Sequence, residues 1–197
     1  MAKRKKINSE ATEDLYSSKS SSLGYQGRVQ IQVACGDTIL FTKKYHNEGL
    51  PDLFRYISYA LVGAYYPTLR PCKVALYNYA NSDNRTNGPD TFDWATAITS
   101  NIFTPVSPYV TYDATPVVLS TENGYAATYR FKIPFNWLYR PAFNTLVLLS
   151  ENNTALAYYL CVKQENGEQV WDPEELSDVN GNYTIIVEWT MEVSNKA

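Results

Sequence analysis

The chain has 197 residues, 45% of them hydrophobic, and a formal net charge of −3. That length fits one β-sandwich or barrel domain with little room for a second, and the hydrophobic share excludes global disorder. No run approaches the roughly 20 apolar residues of a membrane helix, so a helical span is excluded.

Charge is unevenly placed. Up to Tyr25 there are five basic residues and three acidic ones, whereas the remainder carries 12 basic against 17 acidic. A mildly acidic body argues against a broad basic face for nucleic acid. Residues 1–25 read as a flexible arm, a Lys/Arg cluster followed by the Ser-rich stretch from Ser17 to Ser22, too polar to offset its own ordering entropy. Lys3, Arg4, Lys5 and Lys6 are the candidate partner-binding residues of this arm, suited to an acidic neighbour or to nucleic-acid phosphate. Ile7 leads into Asn8, Ser9 and Glu10 rather than an apolar stretch, so the expectation is synthesis in a cytosol without export.

Residues 26–197 read as a single β domain. Val29, Ile31 and Val33 alternate with Arg28, Gln30 and Gln32, the pattern of a half-buried strand. Cys35-Gly36-Asp37 turns the chain into a returning strand over Thr38 to Tyr45. Leu50, Leu53, Phe54, Ile57, Ala60 and Leu61 recur at helical spacing, with Pro51 in the first turn and Gly63 at the far end. This helix is expected to lay its apolar stripe over an edge or end of the sheet.

Beyond it, strands are expected over Lys73–Tyr79, Val106–Tyr112, Val117–Thr121, Tyr125–Ile133, Leu146–Leu149, Ala157–Lys163 and Tyr183–Val193. A long polar loop covers Asn81 to Thr104, with a short helix around Phe92–Ile98. Asp172-Pro173-Glu174-Glu175 has the look of a helix start, a capping Asp followed by Pro and two carboxylates. Of the four Asn-Gly pairs, at 87, 123, 166 and 180, three lie between or beside strand-like runs, where they suit hairpin turns. The fold class expected is mainly β: an antiparallel β-sandwich, jelly-roll or Ig-like, with one packed α-helix and the N-terminal arm.

The search for chemistry yields little. The sole histidine, His46, lies in Tyr45-His46-Asn47-Glu48-Gly49 between strand and helix and reads as a hydrogen-bonded corner that fixes a loop. No Gly-x-Ser-x-Gly elbow, phosphate loop or dinucleotide fingerprint is present. Asp178-Val179-Asn180-Gly181-Asn182 starts like a calcium loop but has its Gly at the fourth position and no closing Glu. Asn81, Asp83, Asn87 and Asp90 form an equally unspecific oxygen-rich loop. Cys35, Cys72 and Cys161 are isolated and read as reduced, mostly buried thiols. Expected therefore are no enzyme activity, no metal and no cofactor.

Tyr outnumbers Phe by 17 to 7, a bias suited to half-buried strand faces and protein interfaces. Trp189 falls on the alternation Tyr183, Ile185, Val187, Trp189 and reads as core. Trp137 and Tyr139 sit in a bend and are the candidate surface aromatic contact, the basis of an alternative reading as a glycan- or host-surface-binding module.

The run Gly27-Arg28-Val29-Gln30-Ile31-Gln32-Val33, the returning strand, His46-Asn47-Glu48-Gly49, and Leu53-Phe54 through Leu61-Val62-Gly63 resembles small virion proteins of tailed bacteriophages, particularly the crAss-like phages of gut bacteria. The resemblance spans about residues 27–63. It implies a structural virion component, such as a capsid auxiliary protein or a tail-associated part, oligomeric once assembled, whose partners are capsid, portal or tail-ring subunits. It carries no catalytic residues, and no membrane partner is expected.

Overall fold

The computed structural model describes residues 24–64, 66–79, 103–122, 124–134, 136, 142–166, 168–171, 174–175 and 183–194. The chain opens with a hairpin, β1 (Tyr25–Cys35) and β2 (Thr38–Gly49), followed by α1 (Pro51–Leu61) and a 3-10 turn at Pro67–Leu69. Next come β3 (Pro71–Tyr79), β4 (Phe103–Pro105), β5 (Val110–Thr111), β6 (Val117–Ser120), β7 (Gly124–Pro134), β8 (Ala142–Phe143), β9 (Thr145–Ser150) and β10 (Ala155–Leu160). The chain continues through β11 (Val162–Glu165), β12 (Glu168–Trp171), β13 (Glu174–Glu175) and β14 (Tyr183–Ser194).

Two antiparallel sheets form the body. The first runs β2-β1-β14-β7-β6; the second runs β4-β3-β9-β10, with β5 also on β3. Strand β2 belongs to both, pairing with β1 over most of its length and with β10 at Glu48 and Gly49. On the opposite side, β5 lies on β3, and Asp113 N then donates to Arg130 O of β7 across 2.9 Å. Each open side of the sandwich is thus crossed by a chain segment that changes sheets.

The period-2 pattern puts Val29, Ile31 and Val33 opposite Trp189, Val187 and Ile185, which in turn face Tyr129, Phe131 and Ile133. These residues meet Val74, Leu76, Leu146, Leu148 and Leu156 of the second sheet in one buried cluster. Trp189 is fully buried, as its place in the alternation predicts. The other face of the first sheet is polar. Gln30 donates to Glu188 (2.9 Å), Lys132 pairs with Asp113 (3.0 Å), and the Thr128 and Thr190 hydroxyls meet at 2.9 Å. In the second sheet all six residues of β9 are buried, so that strand is covered on both faces.

Several elements differ from the sequence-based expectation. Gly24 and Tyr25, assigned to the arm by composition, belong to the β body, where Tyr25 starts β1 opposite Val193. Of the strand expected over Val106–Tyr112 only Val110–Thr111 forms, as β5, while β4 ends before it at Pro105. Pro108 has no N–H for a ladder, and the Ser107 hydroxyl takes over, accepting from Leu76 N (3.1 Å) and donating to Pro108 O (3.0 Å). The strand expected over Ala157–Lys163 divides at Cys161, whose N–H turns aside to Asn144 O at 2.7 Å. Glu174 and Glu175 start no helix; they pair with Phe143 and Ala142 as a two-residue strand. The Asp-Pro-Glu-Glu signature is local, and a distant strand overrides it. The expected loop at Asn81–Thr104 and helix at Phe92–Ile98 lie outside the described residues, apart from the loop's last two, Phe103 and Thr104, which begin β4.

Candidate functional site

Strands β1 and β2 and helix α1 meet through side chains at the far end of β2. Strand β2 continues through His46-Asn47-Glu48-Gly49, so these four residues are strand, not loop. His46 lies opposite Arg28 and is exposed. The corner is fixed by its neighbour instead: Asn47 is buried, and its Oδ1 accepts a 2.7 Å hydrogen bond from the Tyr25 hydroxyl. Asn47 Oδ1 lies over Gly27, where a Cβ would collide with it and with the Tyr25 hydroxyl. Gly49 is a milder case, where a Cβ would sit 3.1–3.2 Å from Phe54, Leu53 and the Tyr25 ring. Tyr25 and Phe54 meet edge to face at 5.5 Å, and Leu50 N donates to Leu156 O (2.8 Å), tying the helix entry to β10. Helix α1 then buries Leu53 completely. Burial holds the Tyr25 phenol well above its ordinary range.

The margins of the first sheet look different. Pairing with β1, the β2 ladder has a bulge that leaves Leu40 as the extra residue between Ile39 and Phe41. Ile39, Leu40 and Phe41 are 51%, 49% and 37% exposed. At the other margin, Val117, Val118 and Leu119 of β6 are 53%, 65% and 60% exposed, beside Tyr125 at 67%. Strand β6 pairs with β7 on one side and has no strand on its other side among the described residues. Edge strands of soluble proteins are usually protected by charges or Pro, so two apolar triplets on opposite margins of one sheet are the most unusual feature of the described surface. Composition did not single them out, although each is a run of three apolar residues that breaks the alternation of a half-buried strand.

Other sequence candidates are dispersed. Cys35 is half-buried at the hairpin tip, Cys72 and Cys161 are buried, and none of the three is in a disulfide. Among the described residues, no group of three or more His, Cys, Asp and Glu side chains is placed to hold a metal ion. No described helix is long and apolar enough to cross a membrane. On the outer side of α1, Tyr59 and Tyr66 stack at 4.8 Å, and the Arg55 guanidinium lies 5.8 and 5.7 Å from their rings. The two rings thus pack on each other and beside Arg55.

Lys3, Arg4, Lys5 and Lys6, the aromatic pair Trp137 and Tyr139, and both oxygen-rich segments at 81–90 and 178–182 lie outside the described residues. Comparison with protein-family models, curated proteins and solved structures gives no match.

Proposed function

We propose that the chain is a structural virion component of a tailed bacteriophage, a non-enzymatic subunit made in the host cytoplasm that assembles on the capsid or on a tail or portal ring through protein–protein contacts. The observation that carries this reading is the pair of bare apolar margins, Ile39–Phe41 and Val117–Leu119, on a sheet whose exposed face is otherwise polar. Surfaces of that kind are buried in the working form of a protein when they serve assembly. The sequence likeness of residues 27–63 to small virion proteins agrees with it, as does the basic arm. In this reading Lys3, Arg4, Lys5 and Lys6 anchor the subunit to an acidic neighbour or to packaged nucleic acid.

The test is to find the chain in purified particles by mass spectrometry and map its position by electron microscopy. Particles made with a chain lacking residues 1–25 should contain far less of it. Absence of the full chain from particles would overturn the reading, and undiminished incorporation of the shortened chain would remove the arm's role.

A further inference from the structure

Each described arginine but one has a carboxylate partner. Arg28 pairs with Glu192, Arg55 with Asp52, and Arg130 with Asp113 and Glu188. Arg70 has no ion pair and no side-chain hydrogen bond among the described residues, although it is half-buried and its Nε is closed off from solvent. The backbone fixes its position. Arg70 N donates to Pro67 O (3.0 Å), closing the 3-10 turn, and Pro71 follows at the start of β3.

Neutral proton donors surround this guanidinium. Tyr112, just past β5, donates its N–H to Cys72 O (3.4 Å), and its ring tilts over that of Tyr129 with centroids 6.1 Å apart. Burial raises the Tyr129 phenol, Tyr56 of α1 and Tyr112 add to the rise, and Arg70 opposes it, so all three lie within electrostatic reach of that hydroxyl. Burial also raises the Cys72 thiol, with Lys73 and Arg70 opposing. The Tyr129 hydroxyl makes no hydrogen bond among the described residues and keeps a proton to donate. Neither nearby carboxylate supplies the missing charge. Asp113 is held by Lys132 (3.0 Å) and Arg130 (3.9 Å), and Glu151 is exposed and forms no ion pair with Arg70.

A guanidinium drawn out of water is costly unless an anion matches it. We propose that Arg70 and the Tyr129 hydroxyl form a binding site for a small oxyanion, a phosphate or a carboxylate. The two terminal nitrogens of Arg70 are neither hydrogen-bonded nor among the buried unpartnered atoms, so a ligand can reach them. Their paired N–H groups match two oxygens of such an anion end-on, and the phenol O–H adds a further donor. Chloride, a single atom, cannot span the fork in this way. The site stands apart from the assembly reading and from the bare sheet margins.

The experiment is nitrogen–proton NMR of the full chain, titrated with sodium phosphate or sodium acetate, with sodium chloride at matched ionic strength as the control. The Arg70 Nε–H signal, assigned by its loss in Arg70→Gln, should shift saturably with at least one oxyanion and not with chloride. Saturation by phosphate alone assigns a phosphoryl ligand, and by acetate alone a carboxylate. Tyr129→Phe keeps the ring and should weaken binding roughly tenfold. In chloride, Arg70→Gln should unfold at the same urea concentration as the native sequence or a higher one, because it removes an unmatched charge. The bound oxyanion should raise the midpoint of the native chain more than that of Arg70→Gln, a difference that cancels the general stabilisation by phosphate. Shifts that grow linearly with salt or equal those in chloride would overturn the proposal. So would unchanged binding by Tyr129→Phe, or an Arg70→Gln chain that is clearly less stable in chloride or fails to fold, since the charge would then already be matched within the protein.

Discussion

The Tyr25 hydroxyl donates to Asn47 Oδ1 across 2.7 Å, joining the first residue of β1 to the far end of β2 directly above Gly27. A methyl group at Gly27 competes for the volume that the Asn47 carboxamide fills. Gly27→Ala should therefore cost about 1–3 kcal/mol in urea unfolding, the usual range for overpacking. In an Asn47→Ala background the same change should cost less, because the nearest obstructing atoms are gone and only the Tyr25 hydroxyl remains in the way. Equal costs in both backgrounds would show that the two residues do not compete for space.

Burial raises the Tyr25 phenol above its ordinary value of 10.0, and it does the same to Tyr129. In the unfolded chain these phenols ionise near that value, whereas the folded chain keeps their protons. The stabilisation is complete below pH 10.0 and declines as pH rises through and beyond it. For Tyr25 the decline is about 1.4 kcal/mol per pH unit once the unfolded phenol ionises. Urea midpoints measured on either side of that pH should fall less steeply in Tyr25→Phe than in the native sequence. Identical slopes would disprove the coupling.

Leu53 is the anchor of α1, fully buried between the helix and the body, whereas Arg55 on the same helix is exposed. Leu53→Ala should cost about 2–5 kcal/mol, from lost transfer free energy and the cavity left behind. Arg55→Ala should stay within about 0.5 kcal/mol. Chemical denaturation of the two variants checks the contrast. A small loss at Leu53 would mean that the helix contributes little to the core.

The three thiols should divide by access. Cys35 is half-buried at the hairpin tip, while burial both shields Cys72 and pushes its thiol up, away from the reactive thiolate. An aromatic disulfide reagent should find one rapidly reacting thiol in the native protein and all three after denaturation. Cys35→Ser should abolish the rapid phase. Fast modification that survives this substitution would contradict the arrangement.

How far the fold could be read from the sequence varies with how local its cause is. Val29, Ile31, Val33 and Trp189 were readable as core because strand periodicity alone decides their face. Pro51 and the Leu53-Phe54-Ile57 stripe marked α1 in the same way. His46-Asn47-Glu48-Gly49 looked like a loop because Asn and Gly favour turns. Here Asn47 plugs the space above Gly27, and Gly49 makes room for Phe54, two uses that depend on residues brought in by folding. Glu174 and Glu175 were misread for the same reason, their partner strand lying at Ala142–Phe143. Ile39–Phe41 and Val117–Leu119 could be recognised as strand segments, but their exposure follows from sheet order, which no local pattern encodes.

Strand β2 is shared by the two sheets, its length held by β1 and its last residues by β10. Neither layer can be peeled from the body without unfastening a strand that the other also needs. A pull on the hairpin is therefore a load on both layers at once, and amide protons near Glu48 and Gly49 should exchange only when the whole domain opens.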